Sequence, residues 1–191
     1  MRGWKSGLAA CLLALASSGA WAGNDLPGDS LYRLDAPLTT QRGDALQFSD
    51  LAGKPALITM FYGDCKLACP IVMGGVKSII AALPARERDR ATVLMVSLNP
   101  GGDTPASLAH LAGEYGIQAR NWLLAVGKSD EDTRGVAAAL GIRYRRLDSG
   151  EINHSTRIVV TDRQGRIAAS TEDIGPKPDP AVVKALRALL K

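Results

Sequence analysis

The 191-residue sequence is poor in histidine, cysteine and aromatic residues, with two His, three Cys and 5% Phe, Trp and Tyr. Three cysteines are too few for a small domain that depends on a disulfide framework. No stripe of basic residues interleaved with aromatics is present, which argues against nucleic-acid binding. No apolar run reaches the ~18 residues of a membrane-spanning helix, so a polytopic membrane protein is excluded. The hydrophobic fraction of 46% instead indicates a folded domain with a substantial core.

The first 22 residues predict a secretory signal peptide. A positively charged start is followed by a short apolar stretch at 8–16 and by the small-x-small tripeptide Ala-Trp-Ala, which ends at Ala22. We therefore expect a periplasmic protein that is cleaved after Ala22 and not inserted in the membrane, in preference to a lipoprotein modified at Cys11. Cleavage removes two of 23 basic residues and none of 19 acidic ones, and the resulting charge of +2 points to no acidic partner.

The rest of the chain alternates between strand-like and helix-like segments. Residues 23–37 are polar and rich in turn formers, so they predict a flexible N-terminal arm ahead of a single domain over 38–191. The domain is predicted to contain a hairpin over 38–51, strands at 56–62, 91–98 and 121–126, helices at 69–83, 104–115, 129–141 and 180–190, and a hairpin over 156–170. Strands that alternate with helices need crossover connections and hence a parallel core. The prediction is an α/β fold with a thioredoxin-like mixed sheet, flanked by helices and extended by the N-terminal β-hairpin.

Two cysteines follow the first predicted buried strand. Cys65 and Cys69 are four residues apart, and on a helix this spacing puts both sulfurs on one face. Unpaired amides at a helix start favour the thiolate, the form that attacks disulfides and binds soft metals, and Lys66 adds a positive charge. A disulfide between the two would close a very short loop and stabilise little. A reactive or metal-binding pair is therefore favoured over a structural bridge.

His154 separates the reactive alternatives. It lies in a polar segment just ahead of a predicted strand, where a lone histidine is more often structural than a ligand. Together with two thiolates, however, an imidazole completes a soft donor set suited to copper, especially Cu(I), whereas zinc would normally need a fourth ligand. His110 is assigned to a helix face, and Met60, Met73 and Met95 are assigned to the core.

Four blocks of sequence resemble the Sco/SenC copper-chaperone family, whose members have a thioredoxin-like fold. They are residues 61–70 with the Cys-x3-Cys-Pro motif, 96–105 with Asp-Thr-Pro, 141–144, and 153–162 with Asn-His-Ser. The resemblance implies that Cys65, Cys69 and His154 bind copper, with the oxidation state left open between Cu(I) and Cu(II). It further implies delivery to the binuclear copper centre of cytochrome c oxidase and a redox-active pair able to form a Cys65–Cys69 disulfide.

The sequence departs from the family's pattern near the thiols. Lys66 and Leu67 stand where the family commonly has Pro and an acidic residue, and Asn99 stands where it usually has Asp. The three ligands are retained, while the partner stays open between the copper-site subunit of a terminal oxidase and another copper or thiol protein. The usual membrane anchor is not evident, so we expect a freely diffusing monomer.

Three hypotheses follow from these residues. The first is an exported copper chaperone. The second is a thiol-disulfide oxidoreductase in which Cys65 attacks and Cys69 resolves, and the third is an interaction module with a structural clip. Of the remaining polar residues, Thr104 and Ser129 are predicted helix caps, and Asp103 is interpreted as part of the Asp-Thr-Pro capping motif without a catalytic role. Arg143, Arg145 and Arg146 are assigned to a solvated loop in preference to a basic docking face.

Overall fold

The computed structural model describes residues 26–63 and 68–191, which form a seven-stranded mixed sheet, a separate two-stranded sheet and five helices. The strands are β1 (Leu38–Thr40), β2 (Ala45–Leu46), β3 (Ala56–Phe61), β4 (Thr92–Ser97), β5 (Trp122–Gly127), β6 (Tyr144–Arg146), β7 (Ile152–His154), β8 (Ile158–Thr161) and β9 (Ile167–Thr171). The helices are α1 (Ala68–Ala81), α2 (Ala85–Arg88), α3 (Pro105–Glu114), α4 (Asp130–Leu140) and α5 (Pro180–Leu189). The predicted signal peptide lies outside the described residues.

The main sheet has the strand order β2-β1-β5-β4-β3-β8-β9. Its centre is parallel, since β4 pairs with β3 on one side and β5 on the other, and β8 runs antiparallel to β3. Every residue of β3 and β4 is buried, as expected for apolar strands that have neighbours on both edges. The predicted mixed α/β architecture is therefore confirmed.

Short polar side chains start three of the helices. Thr104, Ser129 and Asp179 each accept a backbone N–H from the helix that follows, at 2.8–3.1 Å. The hydrogen bond from the Ala181 N–H lowers the pKa of Asp179. At the other end of α4, Gly141 takes a φ of 70° and closes the helix in the left-handed conformation. Among the described residues, no helix is long and apolar enough to cross a membrane.

The predicted N-terminal hairpin forms and joins the main sheet. β1 and β2 pair antiparallel around Gly43, whose φ of 83° suits the turn, and β1 also pairs with β5. The return strand is shorter than predicted because Phe48 begins a 3-10 helix, Phe48–Leu51. The carboxylate of Asp50 caps this helix by accepting the backbone N–H of Gln47 at 2.7 Å.

The segment before the hairpin is packed on the domain, so the prediction of a flexible arm over 23–37 is wrong for its C-terminal half. A 3-10 helix, Leu31–Arg33, buries Tyr32 to 1% exposure. The Tyr32 hydroxyl donates to the carbonyl of Lys54 at 2.7 Å and lies 2.8 Å from Oγ1 of Thr161. These partners are far away in sequence, which is why a polar, turn-rich composition concealed the contact.

Three segments of the chain meet at one end of the strands. The parallel strands β3 and β4 both end there, so the residues after Phe61 and after Ser97 are neighbours. β8 runs in the opposite direction, so the residues that precede β8 lie at the same end of the sheet. The side chain of Thr59 donates to the carbonyl of Arg157 at 2.8 Å and ties that segment to β3. Ligand sites of open α/β sheets commonly occupy the carboxyl ends of the strands.

Candidate metal centre

His154 lies on the small two-stranded sheet, which the sequence did not predict. β6 and β7 pair antiparallel, with Tyr144 opposite His154 and Arg146 opposite Ile152. The strands are three residues long and largely polar, so the period-two signal of a longer strand is missing. The position of His154 is therefore held by a backbone ladder instead of a loop. Burial raises the pKa of Tyr144, which favours a neutral phenol beside the histidine.

The two ring nitrogens of His154 have different surroundings. Nδ1 lies 3.0 Å from the carbonyl oxygen of Ser155. A carbonyl can only accept, so this contact fixes the proton on Nδ1 and leaves a lone pair on Nε2 in the neutral ring. Nε2 is buried and has no hydrogen-bond partner among the described residues. Metal-binding histidines commonly have this arrangement, with one ring N–H donated to a carbonyl while the other nitrogen coordinates.

The ring of His154 packs against the residue that follows β3. The ring centroids of Tyr62 and His154 are 5.9 Å apart and the planes meet at 77°, an edge-to-face contact. Tyr62 is buried, and Cys65 is the third residue after it in the chain. The imidazole therefore lies where the chain leaves β3 toward the first predicted thiol ligand.

The two predicted thiol ligands are only partly within the described structure. Cys65 belongs to residues 64–67, which lie outside it, as do Asp64, Lys66 and Leu67. Cys69 is the second residue of α1, and its side chain lies outside the description. The Cys65–Cys69 disulfide and the thiol ligands stay predictions. Among the side chains that the structure describes, no three His, Cys, Asp or Glu form a ligand cluster, so a three-ligand centre at His154 needs donors beyond them, such as the thiols of Cys65 and Cys69.

A buried carboxylate holds the backbone at Gly63, two residues before Cys65 in the chain. Oδ2 of Asp103 accepts the backbone N–H of Gly63 at 3.0 Å and a hydrogen bond from the hydroxyl of Ser97. Thr104 caps α3, as predicted, and Asp103 just ahead of it makes these tertiary contacts instead of a helix cap. Nothing in the local sequence indicates the contact between Asp103 and Gly63, because the two residues are 40 positions apart.

The family model described as SCO1/SenC matches residues 30–191. This chain belongs to the SCO1/SenC family. The match begins within the packed segment that carries Tyr32 and extends through α5, so it includes every described element of the fold. No curated protein matches the chain in sequence.

Solved Sco structures have the same fold. Bradyrhizobium japonicum ScoI with copper bound has a TM-score of 0.67 at 22% identity, covering 80% of this chain and 96% of that one. Yeast Sco1 with copper bound has a TM-score of 0.65 at 16% identity, covering 80% and 84%. BsSco, a member of the Sco family of cytochrome c oxidase assembly proteins, has a TM-score of 0.69 at 16% identity, covering 84% and 94%. The predicted thioredoxin-like fold is confirmed.

Other candidate metal donors of this SCO1/SenC chain lie elsewhere. Met60, Met73 and Met95 are buried in the hydrophobic core, as predicted. The side chain of His110 is 79% exposed on α3, and its Nε2 lies 3.4 Å from Glu114. His154 is therefore the histidine that the fold brings to the exit of β3.

The three arginines near His154 have different environments. Arg143 and Arg145 are exposed, whereas Arg146 donates to Oδ1 of Asn99 at 2.7 Å. Arg145 and Arg146 belong to strand β6, so the predicted solvated loop is in part a strand. Asn99 is itself buried.

Proposed function

We propose that this SCO1/SenC protein is a periplasmic copper chaperone. It binds a copper ion through Cys65, Cys69 and His154 and delivers it to the binuclear copper centre of cytochrome c oxidase. The observation that carries the proposal is the buried Nε2 of His154, which has no partner among the described residues and lies beside Tyr62. Copper-bound relatives and the oxidase-assembly role named for BsSco support the choice of metal and recipient.

The chemistry of the donor set suits a cargo that must be held and then released. Thiolates and an imidazole are soft to borderline ligands, which favour Cu(I). The Nδ1–H···O=C hydrogen bond to Ser155 holds the ring in the tautomer that offers Nε2 to the metal. Copper uptake requires both thiols to lose their protons, so its strength should increase with pH. An acceptor would take the copper over by exchanging its own ligands for these donors.

Metal analysis of protein purified under reducing conditions from a periplasmic extract tests this function. The wild type should carry about one copper per chain and Cys65→Ser almost none, since the variant loses one of two soft thiolate donors. Copper-loaded wild type should then load the copper-free soluble copper domain of the oxidase from the same organism. A wild type that takes up no copper, or that holds it without passing it on, would refute the chaperone function.

A second candidate function is thiol-disulfide exchange, with Cys65 as the attacking thiol and Cys69 as the resolving one. The position of Cys69 in the first turn of α1 favours it, because helix amides stabilise a thiolate. The disulfide switch named for BsSco gives it further support. Copper-free, reduced protein should then reduce one equivalent of a disulfide substrate while Cys65 and Cys69 form their own disulfide, and it should turn over further substrate when glutathione is supplied as the reductant. Absence of turnover would leave copper transfer as the function of the pair.

A further inference from the structure

A continuous set of polar contacts joins Gly63, two residues before Cys65, to the two-stranded sheet that carries His154. Asp103 accepts the N–H of Gly63 at 3.0 Å and the hydroxyl of Ser97. The same Ser97 oxygen accepts the backbone N–H of Asn99 at 2.9 Å. The Asn99 side chain then accepts from the guanidinium of Arg146 at 2.7 Å, and Arg146 belongs to β6. The contacts therefore connect the end of β3, the end of β4 and strand β6.

The middle of this set is buried. Asp103 is 5% exposed, and Ser97 and Asn99 are also buried. Asp103 forms no ion pair within the described ranges, and its carboxylate partners there are the N–H of Gly63 and the hydroxyl of Ser97. The backbone N–H of Asp103 donates to the carbonyl of Asn99 at 2.8 Å, and this fixes the backbone from which the carboxylate extends. A buried carboxylate that depends on a few donors holds them in a defined position, because leaving it unpaired is costly.

Gly63 fits this carboxylate closely. A Cβ on Gly63 would lie 2.5 Å from Oδ1 of Asp103, a distance that real side chains do not tolerate. The carboxylate therefore occupies the space beside the backbone where any other residue would carry a side chain. As a result, the chain leaves β3 along a path defined by Asp103, two residues before Cys65.

We propose that Asp103 is a positioning residue of the copper site. Through Gly63 it orients the backbone that leads to Cys65, and through Ser97 and Asn99 it shares this anchor with Arg146 on the His154 sheet. The inference rests on the proposed function, since it assigns the network to the binding of copper. Loss of the Asp103 carboxylate should lower the affinity for copper more than it lowers the stability of the copper-free fold, because the copper ligands would no longer converge.

The test compares Asp103→Asn with Asp162→Asn in the full chain. Asp103→Asn keeps the size of the side chain but replaces one acceptor oxygen by a donor. Asp162 is a matched control, since its carboxylate accepts the backbone N–H groups of Gln164 and Arg166 at 2.8 and 3.0 Å. It follows β8 next to the start of β3, at the opposite end of the sheet from His154.

Cu(I) competition titrations should give about a 10- to 100-fold weaker affinity for Asp103→Asn and wild-type affinity for Asp162→Asn. The electron paramagnetic resonance spectrum of the Cu(II) form should change for Asp103→Asn alone, since it reports the geometry of the ligands. Thermal unfolding of the copper-free proteins gives the loss of stability separately.

Arg146→Met keeps the experiment decisive if Asp103→Asn does not fold, because Arg146 is exposed and outside the core. It should weaken Cu(I) binding in the same direction and to a smaller extent. Wild-type affinity and spectrum in both variants would overturn the inference while leaving the chaperone function intact. A wild type that binds no copper would overturn both, so the two failures are distinguishable.

Discussion

Replacement of Tyr32 by Phe tests whether the N-terminal segment is part of the fold. The substitution removes the hydroxyl that donates to Lys54 and contacts Thr161, while the ring stays in the core. A net contribution of about 1 kcal/mol per hydrogen bond predicts a loss of roughly 1–3 kcal/mol in the free energy of unfolding at neutral pH. Urea titration followed by circular dichroism measures this loss. A flexible arm would give no change.

The same residue predicts how stability depends on alkaline pH. Burial raises the pKa of Tyr32 from 10.0 to about 12, the Asp162 charge adds to this, and the hydrogen bond to Thr161 acts against it. The unfolded chain therefore loses this proton first as the pH rises. The contribution of Tyr32 is fully present below about pH 10 and decreases between about pH 10 and 12.

The pH dependence is best measured as a difference between wild type and Tyr32→Phe. At about 1.36 kcal/mol per pH unit, their difference in unfolding free energy should be constant below pH 10 and shrink by about 2 kcal/mol by pH 11.5. Absorbance near 295 nm follows phenol ionisation in the same samples. Parallel stability curves for the two proteins across this range would refute the burial of Tyr32.

Two further predictions concern α4 and the environment of His154. Gly141→Ala should destabilise the fold by roughly 1–2 kcal/mol, because φ is 70° and the new Cβ would lie 2.5 Å from Nη1 of Arg157. Gly135→Ala, in the interior of the same helix, would place its Cβ 4.0 Å from Cδ1 of Leu34, an ordinary contact, and should stabilise by about 0.5–1 kcal/mol. Effects of the same sign for the two variants in urea unfolding would contradict this pair of predictions. Tyr62→Leu should weaken Cu(I) binding about 2- to 12-fold, because the aromatic contact with His154 is lost. Tyr62→Phe keeps the ring and should bind Cu(I) like the wild type. Equal affinities of the two variants in competition titrations would contradict a role of this contact in copper binding.

The elements that the sequence predicts well are those whose signals are local. β3 and β4 are continuous apolar runs and lie within two residues of their predicted ends. α3 and α4 begin at the predicted caps, because Thr104 and Ser129 satisfy amides of their own helix. Local chemistry decides these boundaries, so one sequence suffices to find them.

The parts that escaped prediction depend on contacts between distant residues. Tyr32 is held by Thr161, 129 positions away. β6 and β7 are too short to show a period, and only their pairing makes them strands. At the site, donor chemistry predicts His154 as a ligand, and this stays a prediction, whereas its contact with Tyr62 and the hydrogen bond from Gly63 to Asp103 are tertiary contacts. Sequence patterns suggested which side chains can bind copper and left open what positions them.

The participation of His154 in copper binding is the central claim, and a Cu(I) competition titration of the reduced protein tests it most directly. The chain has two histidines, so His110→Ala on the exposed face of α3 is a matched control for His154→Ala. Loss of one of three ligands should weaken Cu(I) binding by at least about tenfold in His154→Ala, with wild-type affinity in His110→Ala. Equal affinity and stoichiometry in wild type, His110→Ala and His154→Ala would contradict the three-ligand site and leave a plain dithiol.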